Sequence, residues 1–204
     1  MVHPEEAAAS EKTSSRKSAA PMSTFIEKKE GTPSARLQTS PTCGPRPWRR
    51  EVAEGVVGVG KVVRFSRTFT EEDVKVFGQI TRDYNPVHYE PRFAREKGFS
   101  GLICHGLLVG SMICEPGGQW AWLASAMSFR FIKPVYIGDT ITCEMEIVEI
   151  DQKGKALAIA RFTNQRGELV MEAELRGFLP GPKEREVLWE MVSEGDPTNP
   201  IGGG

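Results

Sequence analysis

The residues with chemistry in them are few, and they crowd into one short segment. Asp83-Tyr84-Asn85-Pro86-Val87-His88 sets a carboxylate and an imidazole close together in a chain that has only three histidines, His3, His88 and His105. Pro86 fixes its own φ and restrains Asn85, so the backbone bends sharply between the acid and the imidazole. Side chains on the two arms of a stiff bend can point into one cleft and share a water molecule. Asp83 can then accept a proton while His88 holds or passes one near neutral pH, dividing the water into a nucleophile and a proton. The same spacing also suits an aspartate that caps a turn beside a surface histidine, and spacing alone leaves both readings open. Two ligands make an incomplete metal site and the sequence offers no third, so no metal is expected.

These side chains need a rigid frame, and the flanking pattern predicts one. Thr70 and Asp73 resemble a capping box with Asp in place of Glu or Gln, and Glu71 and Glu72 suit a helix N-terminus. A helix of about three turns should run to Thr81 or Arg82, with Val74 and Phe77 at i, i+3 and Val76 and Ile80 at i, i+4. Asn85-Pro86 stops it, and a helical turn near 91–97 ends at Gly98. Upstream, 57–69 carries Val, Phe and Thr and reads as a first strand. The run Gly101–Cys114 is apolar nearly all round. Periodicity does not choose between buried helix and buried strand there. Its length and the stop at Pro116-Gly117-Gly118 favour a helix enclosed by the domain.

After 119 the period becomes two. Ile141, Cys143, Met145 and Ile147 alternate with Thr142, Glu144 and Glu146, and the phase slips at Val148, which predicts a bulge. Two further strands, 155–163 and 168–178, follow tight turns at Gly154 and Gly167. Trp120 and Trp122 are expected on one face of a strand, packed in the core or an interface, with the lining of a substrate channel as the alternative. The result is an α+β fold, an antiparallel sheet against one apolar helix.

Composition excludes several classes. With 26 Lys and Arg against 27 Asp and Glu, the chain lacks the cation surplus that phosphate backbones demand, so nucleic acid is not expected as a partner. No apolar run approaches about 18 residues, so no membrane span is expected. Four scattered cysteines, Cys43, Cys104, Cys114 and Cys143, suit a reducing compartment better than a disulfide framework or a zinc site. Charge is uneven: residues 1–50 hold 9 basic and 5 acidic residues, and 26 of those 50 are Ala, Ser, Thr, Pro or Gly. Such a segment buries too little to offset its ordering entropy and reads as a disordered leader. A cytoplasmic location is expected, with the mitochondrial matrix as alternative if 1–50 is a transit peptide, a reading that five glutamates oppose. The folded body is 51–180, and 181–204 reads as a short amphipathic helix, 184–193, and a frayed tail.

The run Phe77–His88, with Ala94 beyond it, closely resembles the signature of the MaoC-like (R)-specific enoyl-CoA hydratase family, which includes (R)-3-hydroxyacyl-thioester dehydratases of fatty-acid metabolism. The D-x-N-P-x-H core is complete. Cys104-His105-Gly106-Leu107, Ser128-Phe129-Arg130-Phe131 and Lys133-Pro134-Val135-Tyr136-Ile137-Gly138-Asp139 come next in the family's order. The resemblance implies a single hot-dog fold, an antiparallel sheet wrapped around a central apolar helix, and a homodimer of such units. It implies reversible syn hydration of a trans-2-enoyl thioester by Asp83 and His88, with the Gly106 N–H on the thioester carbonyl. No cofactor is implied, since CoA or phosphopantetheine belongs to the substrate. The physics agrees: enolate charge develops on that oxygen, a helix N-terminus presents free N–H groups, and glycine allows close approach.

Asn85, Ser111 and Cys114 are candidates for orienting the pair or its water. Cys114 stands where many members carry serine, and a thiol is the weaker donor; Ser111, one turn earlier, can substitute. Arg82 stands where a glycine often precedes the aspartate, so either the turn differs or its guanidinium reaches an acid such as Glu90. His105 is read as structural. Two other readings stand beside the hydro-lyase. One is a non-catalytic module binding acyl thioesters. The other is a hot-dog thioesterase, which needs a carboxylate on the central helix, where the nearest acid is Glu115, far from the carbonyl site.

Overall fold

The computed structural model describes residues 50–196, 198 and 199. The leader expected over 1–50 lies, but for Arg50, outside them. Five strands form one antiparallel sheet: β1 Val62–Thr68, β2 Leu123–Phe131, β3 Thr140–Ile150, β4 Lys155–Asn164 and β5 Leu169–Phe178, in the order β1-β3-β4-β5-β2. β3, β4 and β5 form a meander whose turns use Gly154 and Gly167 at φ 76° and 77°, the left-handed region where glycine has no Cβ penalty. The alternation seen in β3 holds: Ile141, Cys143, Met145 and Ile147 are fully buried, and the register shifts between Ile147 and Glu149 at the expected bulge. β1 is shorter than 57–69, because Val57–Lys61 precede the pairing.

Helix α1, Glu71–Thr81, carries the full capping box between Thr70 and Asp73. Its buried face is Val74 and Gly78 with Phe77 packed on the core, whereas Val76 and Ile80 face solvent. A short helix α2, Pro91–Glu96, comes after the bend. The apolar stretch is helical, as α3 Gly106–Gly110, a 3-10 turn Ser111–Ile113, and α4 Cys114–Gln119. The stop expected at Pro116-Gly117-Gly118 is not there: the helix runs through to Gln119, since Pro116 falls within the first turn of α4, where no N–H is needed. Trp120 is therefore a helix-end residue buried in the core, not a strand residue, and Trp122 precedes β2.

The sheet closes on this helical run through two glycines spaced i, i+4. A Cβ at Gly110 would lie 2.9 Å from the Phe129 ring, and one at Gly106 would lie 2.5 Å from the Phe131 ring. Helix α5, Pro182–Ser193, covers the stretch expected for a C-terminal helix, and its Leu188 and Met191 pack on the core. The expectation of a frayed tail fails at Asp196 and Asn199, which are buried.

Candidate active site

Asp83 and His88 stand on the two arms of the bend, and local hydrogen bonds shape it. α1 ends with Arg82 at φ 59°, a left-handed position that costs a non-glycine residue about 1–2 kcal/mol. Glycine's place in the motif is thus filled by an arginine that adopts glycine's backbone. Glu90 does not meet Arg82; it accepts from Arg92. An Asp83 carboxylate oxygen accepts the Asn85 N–H at 3.2 Å, and the Asn85 side chain accepts the Val87 N–H at 3.3 Å, capping the 3-10 turn Pro86–His88. Asp83 therefore does cap a turn, as one reading of the spacing had it, and it also faces the histidine. A carboxylate oxygen of Asp83 and one nitrogen each of His88 and His105 all lie within 4.8 Å of one another.

His88 is buried, with Nδ1 at 2.8 Å from the Ile103 carbonyl. A carbonyl only accepts, so Nδ1 carries the proton and Nε2 of the neutral ring keeps its lone pair. Burial pushes the His88 pKa below the ordinary 6.5, and the neighbouring His105 adds to the shift, against the opposing effects of the Ile103 bond and Asp83. The neutral ring is the form able to take a proton. Lowering the pH through the usual imidazole midpoint should therefore leave kcat/KM on its plateau, with the acid limb below about 6.5. A profile of kcat/KM with a limb at or above that value would contradict the assignment.

The sequence placed His105 as structural and missed how it reaches the site. Its Nε2 donates to the Asp83 carbonyl at 3.0 Å, and its ring stacks on His88 at 3.8 Å between centroids. The Tyr89 hydroxyl meets the same Asp83 carbonyl at 3.2 Å. It reaches there only because Gly78 has no side chain, since a Cβ would strike the Tyr89 oxygen. A glycine in the middle of a helix, about 1 kcal/mol worse than alanine there, was the signal available in the sequence. His105 also supplies the third candidate metal ligand that the spacing lacked.

Gly106 opens α3, and its N–H has no acceptor among the described residues. It adjoins His105 and so stands beside the Asp83 bend. The Ser111 hydroxyl donates to Leu108 O at 2.6 Å, which commits its proton to its own helix. Cys114 is exposed and borders a cavity of about 200 Å3 between α4 and the sheet. A larger open depression of about 430 Å3, bounded by Ala53, Arg185, Trp189 and others on α5, shares no residue with the acid–imidazole pair. Burial pushes the Cys104 and Cys143 thiols up to about 12. Iodoacetamide at mildly alkaline pH should therefore modify Cys114 and leave Cys104 and Cys143 untouched in the native protein, as read by peptide mass spectrometry. Early labelling of either buried thiol would refute that order.

The family model described as MaoC like domain matches residues 56–165, more than half of the chain and all of the bend, the central helical run and β1–β4. The chain belongs to the MaoC-like domain family. Among curated relatives of this MaoC-like protein, a mitochondrial 3-hydroxyacyl-[acyl-carrier-protein] dehydratase of Arabidopsis thaliana is 33% identical over 132 residues, covering 60% of the chain and 77% of the relative. An (R)-specific enoyl-CoA hydratase of Aeromonas caviae is 32% identical over 129 residues, 60% of the chain and 95% of the relative. The solved (R)-hydratase of A. caviae involved in PHA biosynthesis superposes with a TM-score of 0.58 at 31% identity, covering 61% of the MaoC-like chain and 98% of that structure. The hot-dog fold expected from the resemblance is therefore the fold observed.

Proposed function

We propose that the protein is a hydro-lyase that reversibly hydrates trans-2-enoyl thioesters to (R)-3-hydroxyacyl thioesters, the activity its relatives carry in their names. The observation that carries this reading is the Asp83 carboxylate facing His88 beside the free Gly106 amide. A water held between His88 Nε2 and Asp83 adds its oxygen to C3 of the enoyl group. The double-bond electrons move onto the thioester oxygen, where the Gly106 N–H meets the developing enolate. The proton lost by the water is taken by the pair and returned to C2 from the same face, so one water supplies both hydrogen and hydroxyl. Asn85 serves by shaping the bend. No redox cofactor or metal takes part, and the CoA or phosphopantetheine arm arrives with the substrate.

Purified protein given crotonyl-CoA without added metal should remove the enoyl absorbance and form the (R)-3-hydroxy product. Release of free CoA would favour a thioesterase, and binding without turnover would favour a non-catalytic module.

The working unit is proposed to be a homodimer. Asp83 is exposed in the single chain, and neither the cavity beside Cys114 nor the depression on α5 includes it or His88. β2 is an edge strand, with Leu123 73%, Met127 46% and Phe131 58% exposed, and Leu107 beside Gly106 is 57% exposed. An unpaired apolar edge next to an open site suits a second copy. Light scattering should give a dimer mass, and a monomer at every concentration would refute this. Among the described residues no helix is long and apolar enough to cross a membrane. For the compartment, the Arabidopsis relative named as mitochondrial supports the mitochondrial matrix as alternative to the cytoplasm.

A further inference from the structure

The cavity beside Cys114 ends against a helix terminus that the chain braces from outside the family domain. Its lining includes Ile113, Cys114, Gly117, Gly118 and Trp122 on the helix side and Met145 on the sheet side. The sheet side is firm, since Met145 is fully buried, and Trp122 is anchored to it, lying so close over Gly177 of β5 that a Cβ there would strike the indole. The helix side is pliant by its own sequence. Glycine is a poor helix former, and Gly117 and Gly118 stand side by side in α4. Packing does not require Gly117 or Gly118, since a Cβ at either would meet nothing within 4 Å.

A polar network holds this segment in place. Arg50 donates from Nη1 to the Gly118 carbonyl at 2.7 Å, from Nε to Asp196 at 2.8 Å and from Nη2 to Thr198 at 3.3 Å. Gln119 and Asn199 exchange two amide hydrogen bonds, 3.0 and 2.9 Å, while both are buried. Trp120 donates to Glu51 at 3.0 Å, and Glu51 pairs with Lys61 at 2.8 Å. Arg50, Glu51, Asp196, Thr198 and Asn199 all lie outside the span 56–165 that matches the family. The brace closes on the wall of the cavity that borders the central helical run.

We propose that the cavity beside Cys114 receives the far end of a long acyl chain and that this brace sets the longest chain the enzyme accepts, with Arg50, Asp196 and Asn199 as positioning residues that hold the helix end at 117–119 against it. The inference rests on the hydratase reading. Cys114 and Gly118 stand roughly 12 and 18 Å along the helix from Gly106, at 1.5 Å per residue. A four-carbon acyl group bound by its carbonyl at Gly106 ends well short of the brace. A long chain runs into it. The brace therefore acts on long substrates and leaves crotonyl turnover alone.

The test compares kcat/KM for crotonyl-, octenoyl-, dodecenoyl- and hexadecenoyl-CoA in wild type, Asn199→Ala and Asp196→Asn. The expected result is unchanged crotonyl turnover and a rise of about tenfold in the ratio of dodecenoyl to crotonyl kcat/KM. Asn199→Ala removes the amide pair with Gln119 and a bond to the Asp196 carboxylate but keeps the Arg50–Asp196 ion pair, and so guards against loss of fold in the other variant. Hydrogen exchange, which needs no substrate, should show the amides of 117–121 opening about tenfold faster in Asn199→Ala. A ratio that stays level or falls, or exchange that does not change, overturns the proposal. A wild type that leaves crotonyl-CoA untouched overturns the hydratase reading instead, so the two failures are told apart.

Discussion

Asp83→Asn and His88→Ala should each lower kcat on crotonyl-CoA at least ~100-fold, the range that positioned acid–base groups supply. The two variants differ in their effect on the fold, which separates chemistry from architecture. Asparagine keeps an oxygen able to accept the Asn85 N–H, so the bend at 83–85 survives while the carboxylate is gone. Its thermal midpoint should match wild type. His88→Ala removes the donor to the Ile103 carbonyl in a buried position, which costs about 1–3 kcal/mol and lowers the midpoint as well. Steady-state kinetics beside thermal melts check both. A stable Asp83→Asn protein that keeps its kcat would remove the aspartate from the reaction.

Gly106→Ala should be nearly as damaging, for a different reason. The new methyl would sit 2.5 Å from the Phe131 ring. Phe131 is on the exposed edge strand β2 and can swing outward, so the domain should stay folded, but the first turn of α3 and its free N–H shift with the methyl. Loss of one donor to a developing oxyanion costs about 10²–10³ in kcat. Gly110→Ala supplies the control. It meets Phe129 at 2.9 Å one turn further along the same face, away from the proposed carbonyl, so it should lower stability with far less effect on kcat. Equal kinetic losses in the two variants would mean that Gly106 is needed for packing alone.

The site sits on elements whose local signals were unusually plain. The Thr70–Asp73 box starts α1 where the sequence said it would, and Pro86 with the Asn85 cap makes the bend. The left-handed Arg82 shows the limit of such signals. A non-glycine residue there gave no sign that it would take a glycine backbone, because distant residues offset the strain: His105 and Tyr89 hold the carbonyl of the adjoining Asp83. Likewise, Val76 and Ile80 share helical spacing as good as that of Val74 and Phe77, yet they face water. Spacing defines a stripe; only the neighbouring elements decide which stripe is covered.

The sequence by itself determined the fold class, the start of α1, the alternation and bulge of β3, the glycine turns and the acid–imidazole bend. Each of these is set by interactions within a few residues: a cap, a restrained φ, a period of two. The tertiary structure alone decided that β2 lies against β5, that the helix runs past Pro116 to a buried Trp120, that His105 stacks on His88, and that Asp196 and Asn199 return to brace the end of that helix. Those partners are far apart along the chain, up to 146 residues for Arg50 and Asp196, and their meeting depends on how the sheet closes around the helix, which no local pattern encodes.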